Sequence, residues 1–217
     1  ATLFSNSGDV TVNADRIVIN ASAGITANSG TVTLRPETDG WAISLGSVTD
    51  GAFALELSDA EVDRMFTPAL TIGSSVAGQM STVGAFGPAS AANLQLISGT
   101  DIVLSSAMTV AQVLTLRAGD NVHLVSGSAT TAGAIQLFVD QAGDDVGAGG
   151  LNTFAGAVTS GATTVRGNVD ADTLNGTSGA DIINGGAGAD AIAGGGGGDT
   201  LTGGAGIDTF FYSAVSD

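Results

Sequence analysis

From Thr2 to about Arg166 the chain is a train of short runs in which apolar and polar residues alternate: VTVN, RIVIN, TVTLR, AISL, LTIG, LQLI, DIVL, VLTLR, NVHLV and IQLFV. Gly, Asn, Asp and Ser separate them. A period of two puts successive side chains on opposite faces of an extended segment, so each run predicts a half-buried β-strand. The spacing between runs predicts how the strands stack. Leu94, Leu114 and Ile135 open similar runs 20 and 21 residues apart, and Ile102 and Val122 open a second series 20 apart. Earlier, Ile43 and Leu70 are 27 apart and Leu70 and Leu94 are 24 apart. A loose repeat of that length, with two or three short strands per turn, predicts an all-β chain wound as a parallel β-helix, each coil burying an apolar column against the last. A β-sandwich is the alternative that the same alternation allows.

One segment breaks the pattern. Ser58, followed by Asp59, Ala60 and Glu61, forms a capping box, and Leu57, Val62, Met65 and Phe66 supply an apolar stripe that Pro68 ends. A short helical excursion near 58–67, lying over one face of a coil, is expected. Around it, VTLRPETDGWAISLG and LSDAEVDRMFTPALTIG resemble stretches of very large bacterial surface proteins of the filamentous-haemagglutinin-like adhesin type. The resemblance covers roughly residues 30 to 75 and matches the rest of the first 166 only in texture. It implies a right-handed β-helix shaft and adhesion, and it carries no site residues.

At Gly167 the loose pattern gives way to a strict one. Five units of nine follow without a gap: GNVDADTLN, GTSGADIIN, GGAGADAIA, GGGGGDTLT and GGAGIDTFF. The sixth position is always aspartate (Asp172, Asp181, Asp190, Asp199, Asp208) and the eighth is always apolar (Leu174, Ile183, Ile192, Leu201, Phe210). This is similar to GGxGxDxUx, the nonapeptide of the RTX (repeats-in-toxin) calcium-binding family. The resemblance implies a parallel β-roll at 167–217 continuing the shaft of 1–166, calcium as the bound ion, and export through a type I secretion channel. The leading copies depart from the pattern: Asn168 and Thr177 stand where position two is Gly, and Asp170 stands where position four is Gly. Those turns are expected to bind weakly or to join the roll to the shaft.

The residue types make chemical sense at this spacing. Glycines at positions one, two and four permit positive φ, so GGxGxD can curl tightly and aim its carbonyls inward. The other three residues form a very short strand whose central apolar side chain points into the core. Two units complete a coil of 18 residues, placing Asp172, Asp190 and Asp208 in one column and Asp181 and Asp199 in the other. Strands stack about 4.8 Å apart. Carboxylates at that distance repel by about 1 kcal/mol per pair in water, and more where water is excluded. Calcium between successive turns takes six to eight oxygens, here from two aspartates and backbone carbonyls, with Gly185, Gly188, Gly194, Gly197, Gly203 and Gly206 as the candidates. No such site exists in the unfolded chain, so binding energy becomes folding energy, and disorder at low calcium is expected. A flexible glycine-rich linker shares the composition but not the nine-residue phase.

Composition narrows the remaining functions. The 217 residues include 21 acids, five arginines, one histidine, no lysine and no cysteine, for a net charge of −16. Without cysteine there is no disulfide and no thiolate, so a metal must be held by oxygen. Arg16, Arg35, Arg64, Arg117 and Arg166 are too dispersed to form a patch and are expected to pair with nearby acids. Nucleic acid, anionic membrane and acidic polysaccharide are disfavoured as partners. The start has no secretory signal and no apolar run is long enough to insert in a membrane, so the chain reads as part of a longer polypeptide.

An enzyme is not expected. A lone histidine excludes HExxH, alternation in NVHLV turns His123 outward, and no GxSxG is present. A glycosidase needs only two carboxylates, so composition leaves that route open. Asp140, Asp144 and Asp145 in VDQAGDDVGAGG are expected in a solvated loop, with an additional cation as the other reading. Asp39-Gly40 and Asp50-Gly51 are turn dipeptides. The sequence thus predicts a calcium-stabilised extracellular segment, structural or adhesive, of a large secreted bacterial surface protein. The alternatives are a self-assembling filament or surface-layer subunit and a non-catalytic fragment of a secreted polysaccharide-active enzyme. Expected partners are calcium and either a cell-surface ligand or further copies added end to end.

Overall fold

A computed structural model describes residues 2–49, 51, 53–141, 150–154 and 157–212. Every strand pair in it is parallel. The longest sheet has ten strands and takes in Val10–Asn13, Thr31–Arg35, Ala69–Gly73, Asn93–Ser98, Met108–Ala118, Ala129–Phe138, Thr163–Arg166, Asp181–Ala187 and Thr200–Ala205 in that spatial order, with Ala157–Ser160 beside Ala129–Phe138. From Ala69 onward the chain leaves this sheet after each strand, contributes one short strand elsewhere and returns, except that Ala157–Ser160 leads straight to Thr163–Arg166 within it. Those intervening strands form a second sheet through Met80–Thr82, Ile102–Leu104, Val122–Leu124 and Asn152–Phe154, and another through Thr173–Asn175, Ala191–Ala193 and Thr209–Phe211. A three-stranded sheet of Thr2–Ser5, Gly24–Ala27 and Met65–Phe66 serves the N-terminal turns.

The alternation does what it predicts. In Asn93–Ser98 and Thr31–Arg35 every second residue is buried. Register then stacks like on like. Leu34 faces Ile72, Ile72 faces Leu96, Leu96 faces Leu116, and Leu116 faces Leu137. The file runs on through Val165 and Ile183 to Leu201, so eighth-position residues of the nonapeptides extend the column that begins at Leu34. Leu34, Ile72, Leu96, Leu116, Leu137, Val165 and Ile183 are all fully buried. Burying each such side chain stabilises by about 1.5–3 kcal/mol before conformational entropy is charged against it.

The series Leu70, Leu94, Leu114, Ile135 and the pair Ile102, Val122 do stack as their spacing implies. Ile43 does not precede Leu70 in that stack. It pairs with Met80 in the second sheet, while Leu70 pairs with Val32 and Leu94 in the long one. Inward positions alternate identically in both sheets, so spacing alone cannot assign a strand to one of them.

The capping box forms: the Glu61 carboxylate accepts the Ser58 N–H at 3.0 Å and the Ser58 hydroxyl at 2.8 Å, and also the Ile19 N–H at 2.9 Å. The helix is a single turn, Asp59–Val62. Met65 and Phe66, expected in its apolar stripe, instead form a strand against Ile25 and Thr26, which buries Met65 and leaves Phe66 exposed. Pro68 disfavours helical φ/ψ at Thr67, and the free edge of Gly24–Ala27 captures the segment instead. No helix is long and apolar enough to cross a membrane among the described residues.

Candidate metal centre

The nonapeptide turns stack with a period of 18. Thr173 pairs with Ala191 and Ala191 with Thr209 on one side, and Ile182 with Thr200 on the other. Asp172, Asp190 and Asp208 therefore stand in one file, and Asp181 and Asp199 in a second. Backbone bonds tie each file together: Asp172 N–H donates to Asp190 Oδ1 at 2.9 Å, Asp190 N–H to Asp208 Oδ1 at 3.1 Å, and Asp181 N–H to Asp199 Oδ1 at 3.1 Å. The first file reaches back one coil, because Gly150 N–H donates to Asp172 Oδ1 at 2.6 Å.

The second carboxylate oxygens differ. Asp172 Oδ2 accepts the Asn168 N–H at 3.0 Å, and Asp181 Oδ2 accepts the Thr177 N–H at 2.6 Å. Asp190 Oδ2 is buried with no hydrogen-bond partner. An orphaned anionic oxygen away from water is costly, and it marks the place where a cation is wanted.

Position one of the repeat explains what lies beside that oxygen. A methyl group on Gly185 would overlap both Asp190 Oδ2 and the Gly203 carbonyl oxygen. The same cradle recurs at Gly167, between Asp172 Oδ2 and the Gly185 carbonyl, and at Gly176, between Asp181 Oδ2 and the Gly194 carbonyl. In each, a carboxylate and a carbonyl from the next coil converge on a space that only glycine leaves open. Positive φ is needed elsewhere, at positions two and four: Gly186 at +115°, Gly188 at +117°, Gly204 at +114° and Gly206 at +131°. The expectation of positive φ at position one is thus corrected, since glycine is required there for space. Asn168, Asp170 and Thr177 keep ordinary negative φ, so the departures from the pattern coincide with turns of different backbone shape.

Burial also sets the electrostatics. It pushes the Asp172 carboxyl up to about 6, against backbone donation from Asn168 and Gly150, with Asp140 and Asp190 adding like-charge repulsion. Burial raises Asp181 and Asp190 as well, and Asp199 and Asp208 respectively repel them across the coil spacing. Each shift favours the protonated form, the response of carboxylates packed without a counter-ion.

Among the described residues no three carboxylate or imidazole side chains converge. A cation in these turns therefore draws on at most two carboxylates and completes its shell with carbonyls, which suits a hard ion that takes oxygen donors. The orphaned Asp190 oxygen and the glycine cradles fit calcium.

Other candidates fall elsewhere. Asp140, expected in a solvated loop, is fully buried at φ +53° and its carbonyl accepts the Asn168 side-chain N–H at 2.8 Å. The return of the chain onto the next coil draws it inward. Asp144, Asp145 and Asp50 lie outside the described residues. His123 is half-buried with Nδ1 3.0 Å from the Thr153 hydroxyl, while Val122 and Leu124 are buried. Three of the arginines take partners other than the acids expected. Arg35 donates to Asn13, Arg64 to the Ile19 carbonyl, and Arg117 to Gln141 while stacking 4.4 Å over Phe138. Asp15 and Asp59 are engaged with backbone, Asp15 with the N–H groups of Glu37 and Thr38 and Asp59 with that of Gly87. Sequence reasoning missed Gly150, whose place in the aspartate file lies outside the nine-residue phase.

Together the geometry defines an all-β chain of parallel sheets that ends in stacked, glycine-shaped, carboxylate-lined turns. The family model for the RTX calcium-binding nonapeptide repeat matches residues 159–192, 166–201 and 193–211. The chain therefore carries RTX repeats at its C-terminal end, and RTX nonapeptide repeats bind calcium. No curated protein and no solved structure matches the chain.

Proposed function

We propose that the chain is a calcium-stabilised segment of a secreted bacterial surface protein, with residues 1–166 a right-handed parallel β-helix shaft and 167–217 a calcium-loaded β-roll. The right hand follows from the rule that parallel crossovers turn that way. Asp172, Asp181, Asp190, Asp199 and Asp208, with the carbonyls of Gly185, Gly188, Gly194, Gly197, Gly203 and Gly206, hold the ions. Bound calcium supplies positive charge between carboxylates that otherwise repel. The chain's own residues do the rest: glycine cradles keep the space open, and the eighth-position aliphatics close the core behind it.

The observation that carries this reading is the single aliphatic file from Leu34 to Leu201, which runs from the shaft into the repeats within one sheet. Such a column makes a stalk that stiffens when the roll closes, suited to presenting an adhesive or structural module outside the cell, where calcium is plentiful. RTX repeats fit passage through a type I channel while unfolded at low cytosolic calcium. Electron microscopy with and without calcium tests the reading. Monodisperse rods that lengthen with calcium are expected, regular filaments would favour the self-assembling alternative, and compact particles unchanged by calcium would overturn both.

A further inference from the structure

At the joint between shaft and repeats the two sides of the winding are built differently. The long sheet crosses without a break, Ala129–Phe138 to Thr163–Arg166 to Asp181–Ala187. On the other side the strands Asn152–Phe154 and Thr173–Asn175 belong to separate sheets and share one isolated bridge, Leu151 with Thr173. Side-chain amides span the rest of that gap. Asn152 is fully buried; its Oδ1 accepts the Asn175 N–H at 2.7 Å, and its Nδ2 donates to the Asn175 carbonyl at 2.7 Å. Asn175 Nδ2 returns a bond to the Asn152 carbonyl at 2.8 Å. One primary amide thus takes the place of a peptide unit in the ladder. Val122, which pairs with Asn152, is buried and aliphatic, as are Leu174 and Ile192 beyond the gap, so a polar side chain here is an exception that its bonds must sustain.

Two coils' worth of contacts converge on the first aspartate from the same platform. Gly150 N–H holds Asp172 Oδ1, and Asn168, whose side chain is anchored on the Asp140 carbonyl, holds Asp172 Oδ2. In later coils the Oδ1 donor is an aspartate N–H of the preceding coil, two nonapeptides earlier; at Asp172 the shaft provides it through Gly150.

We infer that Gly150, Asn152, Asn168 and Asn175 are positioning residues for calcium: the last shaft coil is a preformed template on which the first repeat is set, and the roll closes outward from Asp172 toward Asp208. This rests on the reading of residues 1–166 as a shaft that folds without metal. Losing the Asn152 amide strands the Asn175 N–H and carbonyl, which shifts the folding equilibrium by about thirtyfold at about 1 kcal/mol per lost bond. Spread over about three ions bound per closure, that is about a threefold rise in the calcium midpoint.

The test is hydrogen exchange read by mass spectrometry on the whole chain, titrated with calcium chloride, in the wild type, Asn152→Ala and Asn152→Leu. Protection is expected at Thr173–Asn175 at lower calcium than at Thr209–Phe211, and both variants should need about three times more calcium while the Asn93–Ser98 amides stay protected. The leucine variant restores the aliphatic column but not the amide, so a midpoint equal to the wild type in that variant overturns the inference. So does earlier protection at Thr209–Phe211, or loss of Asn93–Ser98 protection in the variants alone. Exchange of Asn93–Ser98 in wild-type protein under chelator would instead refute the metal-independent shaft.

Discussion

Replacing Asp190 by asparagine keeps the shape of the side chain and removes its charge. In the file Asp172, Asp190, Asp208, this residue has a carboxylate neighbour on each side, whereas Asp181 has Asp199 on one side and Thr163 on the other. At a coil spacing of about 4.8 Å each like-charge contact costs about 1 kcal/mol in a water-like medium and about 3.5 kcal/mol at an effective dielectric of about 20. Without calcium, Asp190→Asn relieves two such contacts and Asp181→Asn one. The new amide also faces the Gly203 carbonyl across the Gly185 cradle, where the carboxylate set oxygen against oxygen. In chelator, then, Asp190→Asn should raise residual strand content in circular dichroism at pH 7, by about twice the effect of Asp181→Asn. With calcium the order inverts. Equilibrium dialysis should show Asp190→Asn losing more bound ions, because on the proposed stacking a mid-file carboxylate would serve the turns on both sides. Equal losses in the two variants, or a drop in strand content for Asp190→Asn in chelator, would refute the reasoning.

Gly186→Ala forces a side chain into φ +115° and against the Asn168 carbonyl, so its calcium midpoint should rise, while Gly40→Ala, at φ +72° with open space around it, should leave that midpoint unchanged in the same dialysis titration. A fold in which Asp172 has a raised carboxyl binds a proton more tightly than the unfolded chain does. The metal-free roll therefore gains stability below pH 4 and loses it as pH rises through about 6, which a chelator titration of strand signal should show. Apparent calcium affinity should fall over the same window as pH drops, since proton and metal compete for the carboxylate. Leu96→Ala, in the middle of the aliphatic file that starts at Leu34, should cost about 2–5 kcal/mol in a chelator melt and leave calcium stoichiometry unchanged.

Much of the stacking was legible because two periods overlap in the sequence. The two-residue alternation fixes which side chains face inward, and the 20- and 18-residue spacings fix which of them meet, as Leu94 with Leu114 and Thr173 with Ala191 do. Where coils change length the signal fails: Ile43 looks like a predecessor of Leu70 because both open an alternating run. The strand at Met65–Phe66 was hidden for a different reason, since a two-residue strand has no periodicity and exists only because an edge is waiting for it. In the repeats, position six announces itself through charge, but the use of position one depends on where the next coil's carbonyl lands. Asn152 carried no sign of its bridging place, because an asparagine at a strand edge reads as a turn residue until its partner in the following coil is known. Arg35, Arg64 and Arg117 misled by habit: opposite charges invite pairing, yet they take Asn13, the Ile19 carbonyl and Gln141, while Asp15, Asp59 and Asp101 hold backbone amides one coil away.

The unbroken ten-stranded sheet also decides how the chain answers to tension. Its interstrand hydrogen bonds run in the direction in which coils stack, so a pull between the two ends loads them lengthwise and opens them one coil at a time rather than all together in shear. Coils backed only by aliphatic packing would then peel first at low force, while those riveted by divalent ions resist until metal leaves. On the proposed reading, ambient calcium would set which coils give way first.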